Sequence, residues 1–325
     1  MDHQARLRAG LAGLSAFGLV ASACATDAAG ERERTIVTTV SPITDIVLQV
    51  VGERFDVVGL VPEGADSHTY DPPPSAARIL SDAELFIANG LFLEQPAIEL
   101  AEANLPAGAE ILTLANRTIT RDEWVFDFSF PEREGRPNPH LWTDPLLARD
   151  YASHVLDAVV ELDPVHADEH RARYEAFAAR LEELDLAVAA AWETVPSEHR
   201  KLVTYHDSWP YFAHRYGLEV LAAVQPADFS EPSAADVRRI VDQVREAGVP
   251  AIFGSEVFSS DVLARIAEET GAQYVDQLRD DDLPGEPGDP DHSYIGMMTE
   301  NVATMVSALG GDPSAVTAFD AGPGS

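Results

Sequence analysis

Eight short runs of β-branched and other apolar residues punctuate the chain, four in each half, and most are followed by a stretch of helical periodicity. The first four are TIVTTV (35–40), FDVVGLV (55–61), AELFIANG (83–90) and AEILTLA (109–115). The second four are KLVTYHD (201–207), LEVLAAV (218–224), PAIFGSE (250–256) and AQYVDQL (272–278). Nearly continuous apolar runs of this length, linked by helical crossovers, mark parallel strands covered on both faces. Between the halves, residues 163–196 predict one long helix. Asp163 stands at its capping position, Pro164 at the first helical position and Pro196 at its end. Tyr174, Phe177, Leu181, Leu184, Val188 and Trp192 recur at spacings of three and four, so they form one apolar stripe. Roughly 31 residues would make a rod of roughly 46 Å, more than one sheet requires and enough to brace two lobes. The expected fold is α/β, with two lobes, each a four-stranded mostly parallel sheet with flanking helices, bridged by one long rigid helix.

The 325 residues suffice for two domains, and the 46% hydrophobic content is that of a globular chain. A formal charge of −33 repels nucleic acid and anionic membrane surfaces, and it fits a salt-tolerant source. The amino terminus is different. Arg6 and Arg8 precede the small, apolar AGLAGLSAFGLVASA, which ends at Cys24, the single cysteine of the sequence. That is the pattern of an export signal, too short for an ordinary membrane-spanning helix. LVASAC resembles the bacterial lipoprotein processing box, with Ala21 where Leu is usual; a plain secretory signal cut near Ala23 or Ala25 is the alternative. The expected organisation is a signal peptide (1–23), a lipidated tether (24–34) and an N-terminal α/β lobe (35–162). A linker helix (163–196), a C-terminal α/β lobe (197–315) and a tail (316–325) follow. The exported chain would lie at the outer face of the cytoplasmic membrane, held by the lipid on Cys24.

In open parallel sheets ligands bind beyond the carboxyl ends of the strands. His68 follows the second strand in GADSHTYDPPPS (64–75), a loop stiffened by three prolines. His140 lies in NPHLWTDP after the fourth strand, His206 in VTYHDSW at the end of the fifth, and Asp276 in QYVDQL near the end of the eighth. Three neutral imidazoles and one carboxylate suit a borderline divalent metal, zinc above all. Asp66, Asp144 and Asp207 lie close in sequence to the three histidines and are candidates to orient them. The acidic stretch 279–293 reads as a loop, and His166, His170 and His199 as ordinary surface residues.

Taken together, VPEGADSHTYDPPPSAARIL, NPHLWTDP, VTYHDSWPYFAHRYGLE, AIFGSEVFSS with GAQYVDQL, and SYIGMMTENVATMVSAL resemble the zinc and manganese solute-binding proteins of bacterial ABC transporters, the cluster A-I class. The resemblance spans roughly residues 35–310. It implies a monomeric lipoprotein, not an enzyme, that captures one Zn2+ or Mn2+ per chain for a membrane permease and its ATPase. Carried over position by position, the metal ligands fall on His68, His140, His206 and Asp276. The region 116–139 lacks the histidine-rich loop common among zinc members. His206, where manganese-preferring members often carry Glu, favours zinc. A metal-dependent surface adhesin and a zinc hydrolase are the other readings. The hydrolase lacks HExxH, GxSxG and P-loop patterns, and a fourth ligand would close its coordination shell.

Overall fold

The computed structural model describes residues 34–227, 229–258 and 261–319. The signal segment and Cys24 lie outside them. All eight apolar runs are strands: β1 Thr35–Thr38, β2 Asp56–Gly59, β3 Ala83–Ala88, β4 Glu110–Thr113, β5 Lys201–Thr204, β6 Glu219–Ala223, β7 Ala251–Ser255 and β8 Gln273–Leu278. They form two four-stranded sheets with one repeated order, β2-β1-β3-β4 and β6-β5-β7-β8. Every pairing is parallel. In each half the chain steps from its first strand to one side and then crosses back to the other. The switch points β1/β3 and β5/β7 therefore open crevices at the strands' carboxyl ends, where the loops bearing the candidate residues begin. Inner strands are the most apolar because both faces are covered: β7 is wholly buried, whereas the edge strand β2 is partly exposed.

The linker is a 3-10 turn, Pro164–His166, leading into a helix of 27 residues, Ala167–Glu193, about 40 Å long. Asp163 does not cap it with its side chain. Its carboxylate instead accepts from His166 Nδ1 at 3.0 Å and His170 Nε2 at 3.2 Å, and it faces Arg34 at 3.4 Å. His170 is therefore fully buried rather than a surface residue. His199 is half-buried, its Nδ1 3.0 Å from the Leu309 carbonyl.

Phe177, Leu181, Leu184, Val188 and Trp192 bury the expected stripe. They enter one apolar cluster that runs from Ile36 and Ile46 in the first half to Met298, Val302 and Met305 in the second. The helix packs on Ser41–Val51 of the first half and on Tyr294–Ala308 of the second. Smaller clusters sit under the outer sheet faces, around Leu80 and Phe86 and around Ile240 and Ile252. Because the main core belongs to both lobes, parting them would return apolar area to water at about 25 cal/mol per Å². Leu184→Ala should cost about 2–5 kcal/mol by leaving a cavity in this core. Denaturant unfolding followed by tryptophan fluorescence should remain a single transition with a lower midpoint. Two separate transitions, or an unmoved midpoint, would contradict a shared core.

Candidate metal centre

His68, His140 and His206 converge from three loops, and together they offer ligand nitrogens that all lie within 4.8 Å of one another. His140 Nε2 is 3.1 Å from His68 Nε2 and 2.9 Å from His206 Nε2. The protonation of two rings is set from behind. Asn138 Oδ1 accepts from the His140 backbone N–H at 3.1 Å and lies 2.7 Å from His140 Nδ1. Asn138 Nδ2 donates to Asp127 Oδ2 and to the Asp207 carbonyl, which fixes which end of the amide faces the ring. Gln225 Oε1 lies 2.5 Å from His206 Nδ1. Each Nδ1 therefore carries the proton, and each Nε2 presents a lone pair. Two lone pairs at 2.9 Å repel unless a cation or a proton sits between them. Donors on a tetrahedral zinc stand about 3.3 Å apart at Zn–N bonds of about 2.05 Å, close to the spacing found here.

Burial and the neighbouring imidazoles hold His68 and His140 well below the usual histidine value, so both stay neutral and free to ligate. Aromatic rings fix the planes: Phe229 stacks on His68 with centroids 4.6 Å apart, and Phe258 stacks on His206 at 5.4 Å. A cavity of about 40 Å³ beside His68 is lined by Leu91, Phe92, Phe130, Arg136 and Phe229. Among the described residues, the non-glycine positions with positive φ are Leu91, Phe92 and Phe229, and all three border this cavity. Such strain is sustained only where the surroundings over-determine it.

The carboxylate beside the imidazoles is Asp280, not Asp276. Asp276 lies inside β8, exposed, and its Oδ1 accepts from the Tyr274 hydroxyl at 2.5 Å. Asp280 lies two residues past the end of that strand and is 1% exposed. Its Oδ2, which has no conventional hydrogen-bond partner, is 3.3 Å from His206 Nε2 and 3.9 Å from His140 Nε2. Burial, then the charge of Glu256, holds this carboxyl well above the usual carboxylate range. Nor is 279–293 an open acidic loop throughout, since Asp280, Asp281 and Asp282 are all buried.

The three aspartates expected to orient the rings do other work. Asp66 shapes the His68 turn, accepting from the His68 backbone N–H at 2.9 Å and from Thr69 Oγ1 at 2.8 Å. Asp144 caps the helix Pro145–Leu162 through the Leu146 N–H. Asp207 accepts from the Ser129 N–H and pairs with Asp127, whose carboxyl burial and the Asp207 charge push up to about 10. The ring-orienting acceptors are amides, Asn138 and Gln225. Both were within reach of the strand-end rule: Gln225 lies two residues past the end of β6, and Asn138 lies two residues before His140.

Two parallel α/β lobes that share a core, with metal-competent imidazoles gathered where their carboxyl ends face, define a metal-binding solute-binding protein. Residues 36–308 match the family model for the zinc-uptake complex component A, periplasmic (ZnuA), and the chain belongs to that family of non-enzymatic components of metal ABC importers. It is 28% identical over 297 residues to the manganese-binding lipoprotein MntA of Halalkalibacterium halodurans, covering 90% of this chain and 95% of that one. To the zinc-binding protein TroA of Treponema pallidum it is 29% identical over 287 residues, covering 87% and 91%. To the iron-binding protein YfeA of Yersinia pestis it is 28% identical over 275 residues, covering 85% and 86%. The solved periplasmic zinc-binding TroA superposes with a TM-score of 0.77 at 28% identity, covering 85% of this chain and 99% of that one.

Asn138→Ala should lower metal affinity about ten- to a hundredfold by freeing the His140 tautomer and ring. Calorimetric titration with zinc checks this, and unchanged affinity would mean the amide does not set the ring.

Proposed function

We propose that this chain captures zinc outside the cytoplasmic membrane, one ion per molecule, and hands it as a monomer to a permease served by an ATPase. The observation that carries the reading is the convergence of the three imidazoles beside the unpartnered oxygen of Asp280. Three nitrogens and one oxygen in a closed, buried shell suit zinc better than manganese, which favours more oxygen donors. The relatives' names include manganese, zinc and iron, so the preference for zinc rests on the donor set. Asp280 takes the fourth-ligand place in this proposal, with His68, His140 and His206 as the others. The lobes would be 35–162 and 197–315, with Cys24 as the lipid anchor. Among the described residues no helix is long and apolar enough to cross a membrane, which fits attachment through a lipid.

His140→Ala and His206→Ala should each weaken zinc binding severely, and Asp280→Asn should weaken it too, while Asp276→Asn leaves it unchanged. Calorimetry on the four variants decides between the two aspartates. Equal loss in Asp276→Asn, with none in Asp280→Asn, would restore Asp276 as the ligand.

Zinc binding should also displace a proton from Asp280 wherever that carboxyl is protonated. Burial and the Glu256 charge raise the Asp280 carboxyl, which must be ionised to ligate, whereas burial favours the neutral, ligating form of His68 and His140. Affinity should therefore rise with pH as the Asp280 carboxyl ionises, and proton competition from these two histidines enters only at pH below about 6.5. Titrations in buffers of different ionisation enthalpy read the proton directly, and Asp280→Asn should abolish it. Heats independent of buffer would contradict the assignment.

A further inference from the structure

The segment Arg279–Asp282 leaves β8 and enters the space between the lobes. Glu256 Oε1 accepts from three successive backbone N–H groups, those of Asp280 at 2.8 Å, Asp281 at 3.0 Å and Asp282 at 3.2 Å. The buried Asn301 holds Arg279 at both its N–H and its carbonyl, at 2.8 and 2.7 Å. Trp142 Nε1 donates to the Asp280 carbonyl at 2.8 Å. A segment held at so many backbone groups is a fixed platform, and it presents two carboxylates to the other lobe. Asp281 accepts from the Ser67 N–H at 3.0 Å and from Ser67 Oγ at 3.1 Å. Asp282 accepts from the Gly64 N–H with both oxygens, at 3.0 and 2.8 Å. Both donors lie within four residues of His68.

Burying consecutive carboxylates is costly, and only donors of this kind offset it. Apolar packing gains nothing from them at 3% and 8% exposure. Their bonds instead join the loop that carries His68 to the segment that carries Asp280.

We propose that Asp281 and Asp282 are positioning residues, a two-carboxylate latch through which the second lobe holds His68 in the metal site. Resting on the metal-binding reading above, the latch makes His68 and Asp280 one unit. Opening it withdraws His68 from the ion, while His140 and His206, buried and held by Asn138 and Gln225, stay in place. Release would then begin with one loop, without separation of the shared core.

The test uses full-length Asp281→Ala, Asp282→Ala and the double variant, with Ser67→Ala as a milder variant that loses only a hydroxyl bond. Zinc release to a chelator is followed by stopped flow. The double variant should release zinc about ten- to a hundredfold faster, with association changed less than about threefold. Ser67→Ala should show a smaller acceleration, which keeps the test open if the double variant folds poorly. Amide exchange over residues 64–69 should quicken in the zinc-loaded double variant. The distinguishing measurement is a mutant cycle with His68→Ala: if the latch acts through His68, breaking it in that background should add less than about threefold to release. Effects that multiply would show that the carboxylates only stabilise the fold, and would overturn the proposal. Zinc binding by the unaltered protein with unchanged release in the double variant would overturn the latch alone. No zinc binding by the unaltered protein would overturn the metal-binding reading and the latch with it.

Discussion

Two imidazole lone pairs 2.9 Å apart repel unless a cation or a proton lies between them, and the surrounding structure is arranged to keep them there. Asn138 and Gln225 deny both rings the tautomer that would relieve the contact. Phe258 and Phe229 restrict the rings of His206 and His68 from turning away. Since His140 and His206 come from different lobes, the contact survives only if the lobes cannot drift apart. The shared core, with the linker helix packed along it, meets that condition. Preorganised donors of this kind bind a cation without further reorganisation of the protein.

The acidic character of the chain takes on a local meaning near the site. Most of the negative charge is exposed and acts as a solvated surface. A small part is buried at the lobe junction, where each carboxylate is matched to specific donors: Asp281 to Ser67, Asp282 to Gly64, Glu256 to three consecutive amides. Amide dipoles at hydrogen-bond distance hold charge where bulk water is excluded. The same residues therefore join the lobes and place the donors.

Much of this was legible in the sequence. Parallel strands buried on both faces advertise themselves as continuous apolar runs, so all eight were located to within a few residues, and the linker's stripe showed which face it buries. The three histidines were legible because strand-end loops are where such folds hold ligands. Asp276 and Asp280 are hard to separate by pattern, because the eighth run mixes polar with apolar residues and more aspartates follow it: β8 extends to Leu278, so Asp276 falls within the strand and Asp280 beyond it. The buried role of Asp281 and Asp282 was hidden for a different reason. A run of three aspartates followed by Leu, Pro and Gly has the composition of an exposed loop, and the donors that make its burial tolerable lie more than 200 residues away in sequence. His170 was misread similarly, because only the fold brings Asp163 and the Val50 carbonyl to its two nitrogens. Local pattern reports periodicity and breakers; it does not report which polar groups the tertiary structure pairs.

Zinc K-edge X-ray absorption on the metal-loaded protein tests the central claim most directly. A four-donor shell of three imidazoles at about 2.0–2.1 Å and one carboxylate oxygen at about 2.0–2.2 Å is the predicted result. A six-coordinate, oxygen-rich shell with one imidazole or none would contradict it.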